Sequence, residues 1–193
     1  MHNDILEVSK SLHELGLLFL GNHANISERI KNRILITKSG NMKNLSLTDL
    51  AYIDENGKST DIFEATYREI IGLHDSIYKA RDDINAIIHC HPPYLTSFAV
   101  AHVELSIVNE SLPRLGICRP VPVVPWGKRG SQELEDNIVE IMRSSEYSAL
   151  LLANHGVIVT GKDLYHARDS LIAMEETAEL IILAQTIGGA VKL

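Results

Sequence analysis

The sequence predicts a mixed α/β fold in a single domain. Short segments rich in branched apolar residues alternate along the chain with segments of helical periodicity. A chain of 193 residues that is 45% hydrophobic can bury a sizeable core, and one domain is the usual result at this length. No repeat, low-complexity run or proline-rich linker divides the sequence, so we expect one domain over residues 1–193.

Four segments have the pattern of helices. In residues 4–15 the apolar side chains recur every three or four positions, and a glycine follows the last of them. A second helix is predicted from about 66 to 78 on the same spacing. The third and fourth, at 131–143 and 163–187, each begin at a residue that can cap a helix N-terminus, a serine and an aspartate.

The remaining apolar segments predict strands. Residues 17–42 are typical of short strands joined by polar turns, with a hairpin connection at 31–33. The segment 84–90 is a predicted buried strand that ends before two prolines, and the proline-rich segment 120–124 predicts an edge strand or a loop. Residues 149–159 predict two strands around a tight turn. Together these segments predict the sheet of an α/β protein.

Composition excludes several classes of protein. The net charge of −7 and the scattered lysines and arginines disfavour nucleic-acid binding, which needs clustered cations. No run of about 18 apolar residues occurs, and acidic residues stand near the start where a signal peptide would be basic and then apolar. Cys90 and Cys118 lack paired spacing, so neither a disulfide framework nor a cysteine-built zinc site is expected. These features predict a cytoplasmic protein without membrane partners.

Three histidines stand at predicted strand ends. Because strand side chains alternate in direction, His89 and His91 point to one face and Cys90 to the other. His155 lies between an apolar run and a glycine, where a buried strand reaches a tight turn. A metal ion between the imidazoles would compensate for burying them together. The alternative for the first pair is a surface pair or two separately hydrogen-bonded core histidines.

Three nitrogen ligands leave a fourth coordination position open, which is typical of a catalytic metal site. A metal bound to a carbonyl and an adjacent hydroxyl stabilises an enediolate, while a nearby carboxylate moves the proton. Glu69, in the first turn of the second predicted helix, is the candidate carboxylate. The alternative is a glutamate that only complements the helix dipole.

Two glycine-containing loops precede the histidines and could bind an anion. Asn25 and its neighbours in GNHANIS, and the Ser39–Gly40 pair in ITKSG, offer small polar groups and exposed backbone N–H donors. These are also ordinary turn sequences. Their occurrence as a pair ahead of the histidine motif is what favours a phosphate site.

The ordered motifs resemble those of the class II aldolase and adducin N-terminal family over nearly the whole chain. They are GNHANISER at 21–29, ILITKSG at 34–40, Glu69, INAIIHCHPPY at 84–94 and LLLANHGVIVTG at 150–161 in this sequence. The H-x-H-P strand followed some sixty residues later by N-H-G is the specific part. The resemblance implies a three-layer α/β/α sandwich around a largely antiparallel sheet, assembled as a homotetramer with sites at subunit interfaces.

The resemblance also implies an activity. His89, His91 and His155 match the family's zinc-binding histidines, and Glu69 matches the carboxylate that ligates the metal and acts as acid and base. Asn25, Ser39 and Gly40 would hold a substrate phosphate. The implied enzyme cleaves a ketose 1-phosphate, of the fuculose phosphate kind, to dihydroxyacetone phosphate and an aldehyde. The metal is one divalent ion per chain, zinc first and manganese, cobalt or iron as alternatives.

Departures from the family pattern leave other reactions open. Glu69 stands five residues before His74 rather than four, and Tyr67–Arg68 replaces a pair of small hydroxyl residues, so Arg68 becomes a candidate anion ligand. Glu110 stands where fuculose phosphate aldolases have a tyrosine, and it resembles the acid/base of methylthioribulose phosphate dehydratases. Dehydration, epimerisation or decarboxylation on the same site is therefore the second hypothesis. A non-catalytic adducin-like interaction module is the third.

Overall fold

The structure is a computed structural model that describes residues 3–18, 23–38, 40–59, 61 and 68–193, with the side chains of Asn3, Arg68 and Glu69 left out. Within these residues seven strands form one mixed sheet in the order β3–β2–β1–β4–β7–β6–β5. The strands are β1 (Asn25–Ile30), β2 (Arg33–Thr37), β3 (Leu50–Ile53), β4 (Ala86–Cys90), β5 (Val123–Val124), β6 (Ala149–Leu152) and β7 (Gly156–Gly161). Neighbouring strands are antiparallel except β5 and β6, which are parallel.

Helices cover both faces of the sheet. They are α1 (Asn3–Glu14), α2 (Arg68–Ala80), α3 (Pro93–Ala101), α4 (Ser111–Arg114), α5 (Gln132–Met142) and α6 (Leu164–Ala184). Buried residues of α1, α3, α4 and α6 form one hydrophobic cluster with the sheet, and those of α2 and α5 form a second cluster on the opposite face. This architecture confirms the predicted α/β/α sandwich with a largely antiparallel sheet.

The strands β4 and β7 are central, and their residues alternate between the two clusters. Ile87 packs in the α2/α5 cluster, whereas Ile88 and Cys90 pack in the cluster on the other face. Full burial of each isoleucine contributes roughly 1.5–3 kcal/mol to folding. The same alternation directs His89 to the α2/α5 face, opposite Cys90, as the sequence predicted.

Two predicted helix caps are confirmed. The hydroxyl of Ser131 accepts a hydrogen bond from the backbone N–H of Leu134, and the carboxylate of Asp163 accepts one from the N–H of His166. Both contacts satisfy donors that the first turn of a helix leaves unpaired. The predicted hairpin connection is also present, with Lys31 in the left-handed region at φ 56°.

The sequence interpretation missed the helices α3 and α4 and the strand β3. We expected the strand β4 to end before the two prolines, as it does, but predicted no helix after it, whereas α3 begins at Pro93. A proline is well placed at the first position of a helix, because its missing N–H would have had no partner there. The strand β4 ends at Cys90 as predicted, but it begins two residues later than predicted, at Ala86.

None of the helices in the described ranges is both long and apolar enough to cross a membrane.

Candidate active site

Three imidazoles meet at the end of β4. His89 is paired in register with Ile158 of β7, and His155 stands in the turn just before β7. The ring centroids are 4.8 to 4.9 Å apart. One nitrogen from each ring can be chosen so that all three lie within 4.8 Å of one another. The fold therefore brings together the three histidines that the sequence predicted as metal ligands.

Hydrogen bonding in this cluster favours a bound cation. Nδ1 of His89 donates to the carbonyl of Val157 at 2.9 Å, so the neutral ring keeps an unprotonated Nε2. Nε2 of His91 is buried and has no hydrogen-bond partner in the described part of the chain. A buried polar nitrogen without a partner is costly, and a divalent cation would compensate for that cost. The residues present fit a metal ion held by three nitrogens with an open position.

The turn between β6 and β7 explains the sequence Asn-His-Gly. Asn154 adopts a left-handed conformation at φ 57°, which asparagine tolerates better than most residues. Its side-chain oxygen accepts a hydrogen bond from Nε2 of His102 at 2.6 Å, so a side chain from the end of α3 supports the turn. A β-carbon at Gly156 would lie 2.4 Å from Cδ2 of His91. The motif thus places His155 and also leaves room for His91.

The surroundings of all three histidines lower their pKa and so favour the neutral form. Burial is the largest cause of the lowered pKa of His89, followed by the charges of His91 and His155. Burial also lowers the pKa of His91 to about 4. For His155, burial and then the positive charge of Arg129 lower the pKa. Neutral imidazole is the form that binds metal.

A pocket opens beside the histidines between the sheet and the α2/α5 layer. Its described lining includes Asn25 from β1, Ile70 and His74 from α2, and Arg129 and Ser131 from the segment before α5. Glu135 is the carboxylate among the described lining residues, and its Oε1 accepts a hydrogen bond from the hydroxyl of Ser76. The cation that lowers the pKa of both His91 and His155 is Arg129. Arg129 therefore supplies positive charge beside the cluster, and Glu135 supplies a carboxylate in the same lining.

The structure places part of the predicted anion site at this pocket. Asn25 is paired with His89 in the register of β1 and β4 and lines the pocket. Gly40 is buried, and its carbonyl accepts a hydrogen bond from the backbone N–H of His23, which also lines the pocket. Ser39 lies outside the described residues.

The two predicted residues at the start of α2 are described only in part. Arg68 and Glu69 begin the helix, and their side chains lie outside what the structure describes. The next residue, Ile70, lines the pocket and stands four positions before His74. The roles of Arg68 and Glu69 stay predictions.

Glu110 does not line the pocket of its own chain as far as that lining is described. It precedes α4, its side chain is exposed, and its carboxylate pairs with Arg114 at 2.6 Å. A role at the histidine cluster of the same chain is therefore not supported by this placement.

Sequence reasoning missed two features of the site. His74, which was not among the predicted site residues, is buried in the pocket wall and hydrogen-bonded to Asn25 at 2.6 Å. Its fifteen-residue distance from His89 along the chain gave no local pattern. Arg129 was unremarked because a single exposed arginine in a loop carries no signal of its own.

Comparison with known proteins places this geometry in a family. Residues 3–182 match the model of the class II aldolase and adducin N-terminal domain. The chain is 30% identical over 162 residues to an L-fuculose phosphate aldolase of Methanococcus maripaludis, covering 83% of this chain and 85% of that protein. It is also 30% identical over 186 residues to a 3-oxo-tetronate 4-phosphate decarboxylase of Haemophilus influenzae, covering 94% and 86%.

Solved structures agree with the family match. An L-fuculose 1-phosphate aldolase aligns with a TM-score of 0.87 and 27% identity, over 100% of this chain and 89% of that one. YgbL of Escherichia coli, described as a putative aldolase/epimerase/decarboxylase, aligns with a TM-score of 0.85 over 100% and 92%. Its identity of 23% supports the fold alone.

Proposed function

Because the chain belongs to the family of class II aldolase and adducin N-terminal domains, we propose that it is a metal-dependent lyase acting on a small phosphorylated sugar. The reaction we place first is cleavage of a ketose 1-phosphate, of fuculose-phosphate type, to dihydroxyacetone phosphate and an aldehyde. The observation that carries the proposal is the cluster of His89, His91 and His155 in a pocket lined by Asn25. The fuculose phosphate aldolase relatives support the substrate class.

The three histidines would hold one divalent cation, with zinc as the first choice and manganese, cobalt or iron as alternatives. When bound, such an ion would withdraw charge from a carbonyl and an adjacent hydroxyl of the substrate. The chain's own contribution is orientation: the bond from His89 to Val157 fixes one ring, and the β6–β7 turn fixes His155.

The substrate phosphate would bind at the side of the pocket formed by the start of β1 and the loop after β2. Asn25 would donate from its side-chain amide, and Ser39 and Gly40 from the loop. Arg68, at the N-terminus of α2, is proposed as a second anion ligand in place of the small hydroxyl residues of the family pattern. An anion at Asn25 lies next to His89, since the two residues are cross-strand partners.

Glu69 is the proposed acid/base and a possible additional metal ligand. It stands in the first turn of α2, directly before a residue that lines the pocket. Carbon–carbon cleavage next to a carbonyl requires a group that takes the proton from the hydroxyl on the far carbon and returns one to the product. A carboxylate held at the pocket by a helix would do this.

A homotetramer with sites at subunit interfaces is part of the proposal. Glu110 is exposed and lies away from the described pocket of its own chain, so a catalytic role for it requires a second copy to bring it to the pocket. Size measurement of the purified protein by light scattering tests this part. A monomer with full activity would remove Glu110 from the mechanism.

Decarboxylation of a 3-oxo sugar acid phosphate is the second candidate. The observation that favours it is Arg129, a guanidinium that lines the pocket and acts electrostatically on two of the three histidines. A guanidinium suits a carboxylate on the substrate, whereas the aldehyde half of a ketose phosphate is uncharged. The 3-oxo-tetronate 4-phosphate decarboxylase of Haemophilus influenzae is a relative at the same identity as the aldolase.

Elemental analysis combined with product analysis tests the function. Purified protein is loaded with each candidate metal, desalted, and measured for metal per chain, and a panel of ketose 1-phosphates and 3-oxo acid phosphates follows. About one metal per chain with release of dihydroxyacetone phosphate supports the aldolase. Release of carbon dioxide from the 3-oxo acids supports the second candidate instead. Protein that holds no metal under any loading condition overturns both.

A further inference from the structure

Four buried polar side chains at the wall of the pocket are linked by hydrogen bonds. The hydroxyl of Tyr78 lies 2.9 Å from Oγ of Ser27, and that Oγ lies 2.6 Å from Nδ1 of His74. Nε2 of His74 lies 2.6 Å from Oδ1 of Asn25. Tyr78 and His74 come from α2, Ser27 and Asn25 from β1, and all four are almost fully buried. Asn25 and His74 both line the pocket, and Asn25 is the cross-strand partner of His89.

Every hydroxyl and imidazole donor among these four side chains finds an acceptor in the described residues only if the hydrogen bonds run in one direction. If Tyr78 donates to Ser27 and Ser27 donates to His74, the imidazole carries its proton on Nε2 and donates it to the oxygen of Asn25. In the reverse direction the Tyr78 hydroxyl proton would have no acceptor in the described part of the chain. Leaving a buried donor unpaired is costly, so the first direction is favoured.

This direction determines which end of the Asn25 amide faces the pocket. With Oδ1 engaged by His74, the N–H₂ group remains for the pocket. Two N–H donors attract an anion, whereas an amide oxygen in the same place would repel it. The neutral imidazole that this arrangement needs agrees with burial, which lowers the pKa of His74 to about 3.

We propose that Tyr78, Ser27 and His74 are positioning residues that hold the Asn25 amide with its N–H₂ group toward the pocket, as a donor to the substrate's anionic group. The identity of that group as a phosphate rests on the proposed function. The positioning itself rests on the four residues and their contacts. Tyr78 and Ser27 are not among the described lining residues of the pocket. His74 lines it, but both of its ring nitrogens are engaged, by Ser27 and by Asn25, so all three act through Asn25.

Binding of inorganic phosphate to the metal-loaded protein, measured by calorimetry at neutral pH, tests the proposal without using catalysis. Tyr78→Phe removes the terminal donor and keeps the ring, so we expect phosphate to bind several-fold more weakly. His74→Phe removes both contacts of the imidazole, and we expect about a tenfold loss. His74→Gln keeps an acceptor and a donor on one side chain, and we expect it to restore most of the affinity. Asn25→Asp should abolish binding.

Tyr94→Phe is the matched control. This substitution also removes one hydroxyl and its hydrogen bond, which is to Glu179 at 2.8 Å, but it does so on the other face of the sheet. Phosphate affinity should equal that of the wild type in this variant, and metal content should be unchanged in every variant. Loss of affinity in Tyr94→Phe equal to that in Tyr78→Phe would overturn the proposal, because it would show a general effect of removing a hydroxyl.

Two further outcomes would overturn the positioning role of Tyr78, Ser27 and His74. Equal phosphate affinity in wild type, Tyr78→Phe and a folded His74→Phe would overturn the positioning role, as would absence of phosphate binding in the wild type. If His74→Phe does not fold, Tyr78→Phe and Ser27→Ala decide in its place. Graded phosphate affinity in a protein that cleaves no sugar phosphate would reject the proposed function and keep the positioning role.

Discussion

Gly156 lies so close to His91 that a β-carbon on the glycine would be 2.4 Å from Cδ2 of the imidazole and 2.5 Å from the carbonyl oxygen of Cys90. Neither neighbour can move easily, because one is a ring in the histidine cluster and the other is backbone of β4. The glycine after His155 is therefore required by the site, and the reason is space. Its φ is not in the left-handed region.

Replacing Gly156 by Ala is expected to displace His91 and to lower metal affinity at least tenfold. Overpacking of this kind also costs about 1–3 kcal/mol of folding free energy. Metal titration and urea unfolding measure the two effects. Gly72→Ala is the comparison, since among the described residues a β-carbon there meets only Oε2 of Glu135, at 3.4 Å, and alanine in a helix should stabilise by about 0.5–1 kcal/mol. Unchanged metal affinity in Gly156→Ala would contradict the close-approach argument.

Removing one histidine of the cluster should remove the metal. His155→Ala leaves two nitrogen ligands, so we expect metal per chain to fall to background and activity to fall with it. His13→Ala, on α1 away from the cluster, should keep both. Mass-spectrometric elemental analysis of the desalted proteins gives the answer, and full metal content in His155→Ala would remove this residue from the ligand set.

Glu69→Gln separates proton transfer from metal binding. The amide cannot accept and return a proton, so we expect kcat to fall by about 10²–10⁴-fold while much of the metal remains. Steady-state kinetics and metal analysis on the same preparation measure both quantities. A variant with wild-type kcat would show that another group moves the proton.

Arg129→Gln should distinguish the two candidate reactions. If the guanidinium binds a substrate carboxylate, KM for a 3-oxo acid phosphate should rise at least tenfold, while KM for a ketose 1-phosphate changes little. Lys128→Gln, a change of the neighbouring exposed cation, is the control for loss of net charge. Equal effects of the two substitutions on both substrates would argue against a specific contact with Arg129.

Stability of the metal-free protein should decrease as the solution becomes acidic. Burial lowers the pKa of His74 to about 3 and, with smaller effects of nearby charges, that of His91 to about 4, and it also lowers the pKa of His89 and His155. In the unfolded chain such groups titrate near pH 6.5, so below that pH the unfolded state binds more protons. The free energy of unfolding therefore falls as pH drops from about 7 toward about 4. Urea midpoints across this range measure it, and a constant midpoint would contradict the neutral buried histidines.

Several elements followed from local sequence alone. Serine and aspartate caps start α5 and α6 because short polar side chains satisfy free N–H groups wherever they occur. The side chain of His89 points to the face opposite Cys90 because strand residues alternate, whatever the rest of the fold is. The helix α3 was missed because a proline after a strand is compatible with both an end and a beginning.

The sequence by itself determined the class of fold, the family and the choice of the three histidines as candidate metal ligands, since these depend on periodicity, caps and short motifs. Only the tertiary structure showed that His74 is hydrogen-bonded to the amide of Asn25, that Arg129 lines the same pocket as the histidines, and that Gly156 makes room for His91. Those contacts join residues from separate elements, and they depend on how α2, α5 and the β6–β7 turn pack against the sheet. Spacing along a chain carries no information about such distances until the layers are assembled.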